Sequence, residues 1–239
     1  MSERLVIIPT YDEKENIQDV LLRVFALEPA FDVLVVDDNS PDGTGDLVAG
    51  LQGRWPGRLH LLRREGKQGL GTAYIAGFHW ALAHDYAYIF EMDADLSHNP
   101  DDLVRLYGAC SAPGVGMSVG SRYVKGGQVK DWAWHRILMS YCASLYVRLV
   151  LSLGVRDTTA GFVCYRKEVL NDLPLDEIHF IGYAFQIEMK YRVKLQGHRI
   201  VEVPITFIDR LKGRSKMSMN IFHEAFLGVL KMRFSIRAK

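Results

Sequence analysis

The residues best equipped for chemistry are Asp93 and Asp95, separated by Ala94 at the end of a predicted strand from Tyr86 to Met92. In extended backbone, positions i and i+2 point the same way, so both carboxylates can face one point. Two carboxylates so placed repel one another unless a cation or a proton lies between them. Hard oxygen ligands favour Mg2+ or Mn2+ over Zn2+, and such an ion keeps waters and bridges to substrate phosphates. A simpler reading makes Asp95-Leu96-Ser97 the cap of the next helix. The buried run before the pair, and the acids at two further strand ends, favour the metal.

Those further acids follow similar runs. Leu5-Val6-Ile7-Ile8 leads into Pro9-Thr10-Tyr11-Asp12-Glu13, and Val33-Leu34-Val35-Val36 leads into Asp37-Asp38 and the turn-forming Asn39-Ser40-Pro41-Asp42-Gly43. Ligands of open parallel sheets sit outside the carboxyl ends of the strands, so neighbouring strands would bring these acids to one crevice. The loop Gly66-Lys67-Gln68-Gly69-Leu70-Gly71 fits neither a Walker A loop nor a dinucleotide fingerprint. It reads as a mobile turn or as a loop whose Lys67 meets a diphosphate.

Short continuous apolar runs mark strands buried on both faces. They occur at 5–8 and 33–36, further strands read at 59–62, 86–92, 115–120 and 161–166, and helical patterns lie at 15–27, from 43 or 44, at 72–84 and at 184–195. The alternation predicts an α/β, Rossmann-like, open and mostly parallel sheet with helices on both faces. Residues 200–207 read as an edge strand. From about residue 125 the pattern changes. The segment Trp132 to Leu153 carries tryptophans, an apolar stripe and flanking basic residues, features shared by a helix in a lipid interface and an ordinary buried helix. Residues 221–236 have a similar basic, amphipathic character.

Composition narrows the function classes. The 239 residues are 49% hydrophobic and 24% charged with a net charge of +1, which excludes wholesale disorder and argues against a basic nucleic-acid binder. The three cysteines include no C-x-x-C and suit a reducing compartment. No run of about 20 uncharged apolar residues is present, so a spanning helix is not expected.

Taken together, the segments 9–13, 35–44, 67–71 and 92–98, in that order, closely resemble the dolichol-phosphate (polyprenol monophosphate) mannose synthases, glycosyltransferases of family 2 with a GT-A fold. Gly120-Ser121-Arg122-Tyr123, Asp157-Thr158-Thr159-Ala160-Gly161-Phe162 and the segment 165–170 extend the match over about residues 4 to 216. The resemblance implies a GDP-mannose donor, a polyprenyl (dolichyl) phosphate acceptor, a divalent cation and inversion at the anomeric carbon. It places Pro9, Tyr11, Glu13, Asp37 and Asp38 on the nucleoside, and Asp93, Ala94 and Asp95 on the diphosphate and metal, with Ser97 as a further ligand. Arg122, Arg210 and Lys216 would meet phosphates, with Lys67 added to the donor side. Arg136 and Ser140 would receive the lipid phosphate beside Arg122.

The implied organisation is a catalytic domain over 1–216, including an interfacial acceptor helix at 132–153, followed by a basic amphipathic helix at 217–239 in place of the membrane-spanning helices of many relatives. Such an enzyme would sit peripherally on the cytoplasmic face of a membrane, where a small membrane subunit could bind the same surface. A phosphate monoester has a second pKa of about 6, so the acceptor arrives as an anion and needs cationic placement, not a general base. Competing readings are the same fold with another donor such as UDP-glucose, a nucleotidyltransferase, and an inactive nucleotide-sugar binder. Against the second, the place after the first strand is acidic where a glycine-rich basic loop is usual; against the third, Asp93, Asp95, Arg122 and Lys216 are all present.

Overall fold

The computed structural model describes residues 2–182, 184–209 and 220–236, with side chains of the last stretch from residue 227. The apolar runs form β1 (Arg4–Thr10), β2 (Asp32–Asp37), β3 (Leu59–Arg63), β4 (Tyr88–Glu91) and β5 (Val115–Ser121). Between them lie α1 (Lys14–Phe25), α2 (Thr44–Leu51), α3 (Leu70–Ala83) and α4 (Asp102–Cys110). The second half adds β6 (Gln128–Lys130), α5 (Trp134–Leu151), β7 (Val163–Arg166), α6 (Lys167–Asp172), α7 (Ala184–Leu195), β8 (Arg199–Pro204), β9 (Thr206–Ile208) and α8 (Asn220–Ser235).

Seven strands form one sheet in the order β3-β2-β1-β4-β7-β5-β8. The pairs among β1, β2, β3 and β4 are parallel, as is β5 with β8. Alternation along β1 explains the layers. Leu5 and Ile7 face one core with Tyr74 and Phe78 of α3 and Phe185 and Met189 of α7. Val6 and Ile8 face the other, with Val20 and Leu21 of α1, Val48 of α2 and Leu103 and Leu106 of α4. Helices therefore cover both faces, as the continuous apolar runs require.

Two expectations are corrected. The run at 161–166 becomes β7, antiparallel to both β4 and β5, because the chain enters it from the α5 excursion and not from a crossover on the sheet. The run at 200–207 is not one strand. Pro204, which has no N–H to continue a ladder, ends β8, and the chain steps off the sheet at Ile205. Ile205 donates its N–H to the Ser121 carbonyl (3.1 Å) and accepts from the Gln128 N–H (2.9 Å), after which β9 pairs with β6 in a separate two-stranded sheet.

The long helix α5 packs with α7 and α8 through a third core of Val147, Leu151, Ile187, Tyr191, Val229 and Met232. Among the described residues, only one side of α5 is covered. Trp134, Leu138, Met139, Tyr141, Leu145 and Leu149 are exposed, as are Leu227 and Phe234 of α8. Among the described residues, no helix is long and apolar enough to cross a membrane.

Candidate active site

β2, β1 and β4 are adjacent, so the three acid-bearing strand ends converge at one edge of the sheet. The turn after β2 is knitted to the turn after β1. Asp12 donates its N–H to Ser40 Oγ (3.2 Å), Glu13 to Thr44 Oγ1 (3.1 Å) and Lys14 to Asp42 Oδ2 (3.0 Å). Asp37 is spent within this frame: its Oδ1 accepts from the hydroxyls of Thr10 (3.0 Å) and Ser40 (2.6 Å), and a Cβ on Gly45 would stand 2.6 Å from its Oδ2. Asp38 instead lies 2.9 Å from an Arg64 guanidinium nitrogen, with both side chains largely buried. Burial pushes the Asp38 carboxyl up and Arg64 opposes that shift. Lys67 sits 4.6 Å from the ring centre of Tyr11, so the glycine loop folds over the first strand end.

That loop owes part of its glycine content to packing. Gly71 donates its N–H to the Ile181 carbonyl (2.8 Å), and a Cβ there would meet the Phe180 carbonyl at 2.9 Å and the Phe185 ring at 2.8 Å. Gly69 has φ of 103°, which a side chain rarely adopts.

After β4, Asp93 is partly exposed while Asp95 is buried. Leu96 takes a left-handed conformation (φ 61°) and turns the chain so that the Ser97 N–H donates to Asp95 Oδ1 (3.0 Å). A bulky residue in that region is uncommon and is held only by its surroundings. The Ser97 hydroxyl is buried and has no hydrogen-bond partner. His98 is buried against Phe162 (4.7 Å, stacked), and its Nδ1 accepts the Asp93 N–H (3.3 Å). Burial lowers the His98 pKa to about 4, outweighing Asp95, so the imidazole is neutral near pH 7 and its Nδ1 lone pair is already used. Among the described residues, no group of three or more His, Cys, Asp or Glu side chains forms a metal cage. The available donor set is two carboxylates and a hydroxyl.

Facing this loop is a cationic cluster. Asp157, fully buried, accepts from Arg122 at its backbone N–H (2.9 Å), Nε (2.7 Å) and Nη2 (2.7 Å), and Thr159 Oγ1 accepts from Nη2 (2.9 Å). Glu202 on β8 fixes that loop by accepting the N–H groups of Arg156 (2.8 Å) and Asp157 (3.0 Å). Arg136 pairs with Asp209 (3.0 Å). Its guanidinium lies 3.8 Å from the ring centre of Trp132, and that of Arg122 lies 5.6 Å from the same ring. Phe207 meets both His98 (5.5 Å) and Trp132 (5.4 Å) edge-on, and the Ile208 N–H donates to the Ser97 carbonyl (3.3 Å). β9 thus ties the 93–98 loop to the segment that carries Arg136. Ser140 is half-buried on α5. Arg210 and Lys216 lie outside the described residues.

The family model described as glycosyl transferase family 2 matches residues 5–173. The chain belongs to glycosyl transferase family 2. As a family 2 glycosyltransferase it has the GT-A fold described above. It is 47% identical over 225 residues, 94% of this chain and 84% of the relative, to the polyprenol monophosphomannose synthase of Mycolicibacterium smegmatis. It is 46% identical over 233 residues, 98% of this chain and 95% of the relative, to the undecaprenyl-phosphate mannosyltransferase of Micrococcus luteus. A solved structure of the mannosyltransferase PcManGT from Pyrobaculum calidifontis, in complex with GDP-Man and Mn2+, superposes with a TM-score of 0.61 at 16% identity, covering 98% of this chain and 70% of that one.

The structure of this family 2 glycosyltransferase adds residues that the sequence did not single out. Arg64 stands against Asp38, and its one visible cue was its place in the Arg63-Arg64 pair after the third predicted strand. Glu202, Asp209 and Phe207 gave no local cue at all, because their partners lie far away in the chain.

Proposed function

We propose that this glycosyltransferase transfers mannose, with inversion, from GDP-mannose to polyprenyl (dolichyl-type) phosphate at a membrane surface, releasing GDP. The near full-length similarity to two bacterial enzymes named for polyprenyl-phosphate mannosylation supports the reaction class. The GDP-Man and Mn2+ complex of a structural neighbour supports the donor and the ion. The observation that carries the reading is the facing of two groups: an oxygen-only Asp93, Asp95 and Ser97 set, and two arginines gathered on one indole across β9.

The residues present fit Mg2+ or Mn2+. A hard ion needs only one or two carboxylates when waters and substrate phosphates complete its shell, and the unpartnered Ser97 hydroxyl is a third oxygen beside Asp95. Bound there, the ion would neutralise charge developing on the departing diphosphate.

The protein's own work is placement. Tyr11, Glu13 and Asp38, with Pro9, line the nucleoside side, and Asp37 braces the turn that presents them. Ala94 lets the diphosphate approach the backbone, and Lys67 reaches it from the glycine loop. Arg122, Arg136 and Ser140 receive the acceptor phosphate, which attacks as an anion without a general base. Arg210 and Lys216 add phosphate contacts. The exposed apolar face of α5 and α8 lies in the lipid interface on the cytoplasmic side, so the hydrocarbon tail need not leave the membrane.

The test is transfer of radiolabel from GDP-mannose and from UDP-glucose to undecaprenyl phosphate, with and without Mn2+, read after lipid extraction. Mannose transfer that requires the ion is expected. Glucose transfer from UDP-glucose with no mannose transfer rejects the reading.

A further inference from the structure

We infer that Trp132 is a positioning residue for the acceptor, a shared platform that aims Arg122 and Arg136 at one phosphate; the inference rests on the function proposed above. Two guanidinium groups repel one another, and each here has its own carboxylate, Asp157 for Arg122 and Asp209 for Arg136. Those carboxylates sit on separate loops, after α5 and after β9. Both guanidinium groups lie on the Trp132 ring, Arg136 at 3.8 Å and Arg122 at 5.6 Å from its centre, and Arg122 also lies 5.2 Å from the Tyr123 ring and 5.5 Å from that of Phe207. The negative face of an indole attracts a guanidinium and is the strongest such surface among the aromatic side chains. It therefore helps two like charges share a small space without adding negative charge of its own beside an incoming phosphate.

A second observation separates this role from ordinary packing. The Trp132 Nε1–H is buried and has no acceptor, whereas buried indole N–H groups normally find one. The position bears the cost of that orphaned donor while using the ring. Phe207 fixes the ring's tilt by edge contact (5.4 Å, 72°), and Phe207 also touches His98 behind Asp93. The platform is thereby set in register with the 93–98 loop, which places the acceptor phosphate relative to the donor.

The test uses the full chain, GDP-mannose with Mn2+, and a short, water-soluble prenyl phosphate, so that no membrane is involved. Replacing the ring with Trp132→Leu or Trp132→Gln should raise the acceptor KM about tenfold or more and leave the KM for GDP-mannose within about twofold, given the usual strength of such contacts. Trp132→Phe, which keeps a π face, should recover most of the loss. The two ringless variants guard against one that does not fold, with GDP binding as the check. An unchanged acceptor KM in a folded ringless variant overturns the inference, as does a Phe variant no better than Leu. If the loss appears only with long-chain acceptor in vesicles, Trp132 is a lipid anchor and the inference is again overturned. Failure of the wild-type chain to mannosylate any prenyl phosphate instead removes the proposed function itself, and this inference with it.

Discussion

Asp157 holds Arg122 through three hydrogen bonds, one from the backbone N–H and two from the guanidinium, across 35 positions of sequence. The carboxylate is fully buried and the guanidinium nearly so. An arginine held this way keeps one orientation before any ligand arrives, which is what a preorganised phosphate site needs. Removing one partner leaves a buried charge uncompensated. Asp157→Ala should therefore cost about 3–5 kcal/mol of stability in denaturant titration. Glu202→Gln, which only loosens the grip on the Arg156 and Asp157 amides, should fold well and mainly raise the acceptor KM. Equal losses of donor and acceptor affinity would count against this chain of support.

Asp95→Asn should lower kcat on the order of 10²–10³-fold, because a neutral amide is a poor anchor for a divalent ion at a leaving diphosphate. The same variant should lose Mn2+-dependent enhancement of GDP binding, measured by calorimetry. Turnover that survives the substitution would show that the paired acids do not hold a needed ion.

Arg136 is about one-third exposed and paired with an equally exposed Asp209, so its contribution to stability is small. Arg136→Ala should leave the melting temperature almost unchanged while raising the acceptor KM roughly tenfold, the worth of one charge-assisted hydrogen bond. Arg136→Lys should recover little, since a lysine cannot lie flat on Trp132 and donate in a fork at once.

Charge on the exposed apolar face offers an independent check. Changing Trp134, Leu149 and Phe234, all more than two-thirds exposed, to glutamate should reduce sedimentation with anionic vesicles about tenfold or more. Activity on a short soluble acceptor should survive. Loss of both together would point to misfolding and not to a lipid-facing surface.

Lys190 supplies a pH signature. Its ammonium is fully buried and donates to the Ala160 carbonyl (2.6 Å) and to Gln186, and burial lowers its pKa to about 8. Between that value and the ordinary 10.5, the unfolded chain holds a proton that the folded chain has released. Folding stability contributed by this group therefore rises with pH across that window. Relative to Lys190→Met, the wild type should gain roughly 1–3 kcal/mol between pH 8 and pH 10.5. A constant difference between the two would mean that the folded lysine keeps its proton across this window just as the unfolded chain does.

What the sequence determined by itself was local. Runs such as Leu5-Val6-Ile7-Ile8 had to be strands covered on both faces, since every residue in them is apolar, and the acids that follow had to lie at strand ends. The helix at 184–195 was equally legible, because it depends on a periodicity of a few residues. Tertiary structure decided everything that depends on strand order. It set β7 antiparallel, moved β9 onto β6, closed Asp37 inside a hydrogen-bonded turn while leaving Asp38 against Arg64, and brought Arg122 to Asp157. No short-range pattern encodes such contacts: hydropathy says that a segment is buried, and only the packed sheet says beside what.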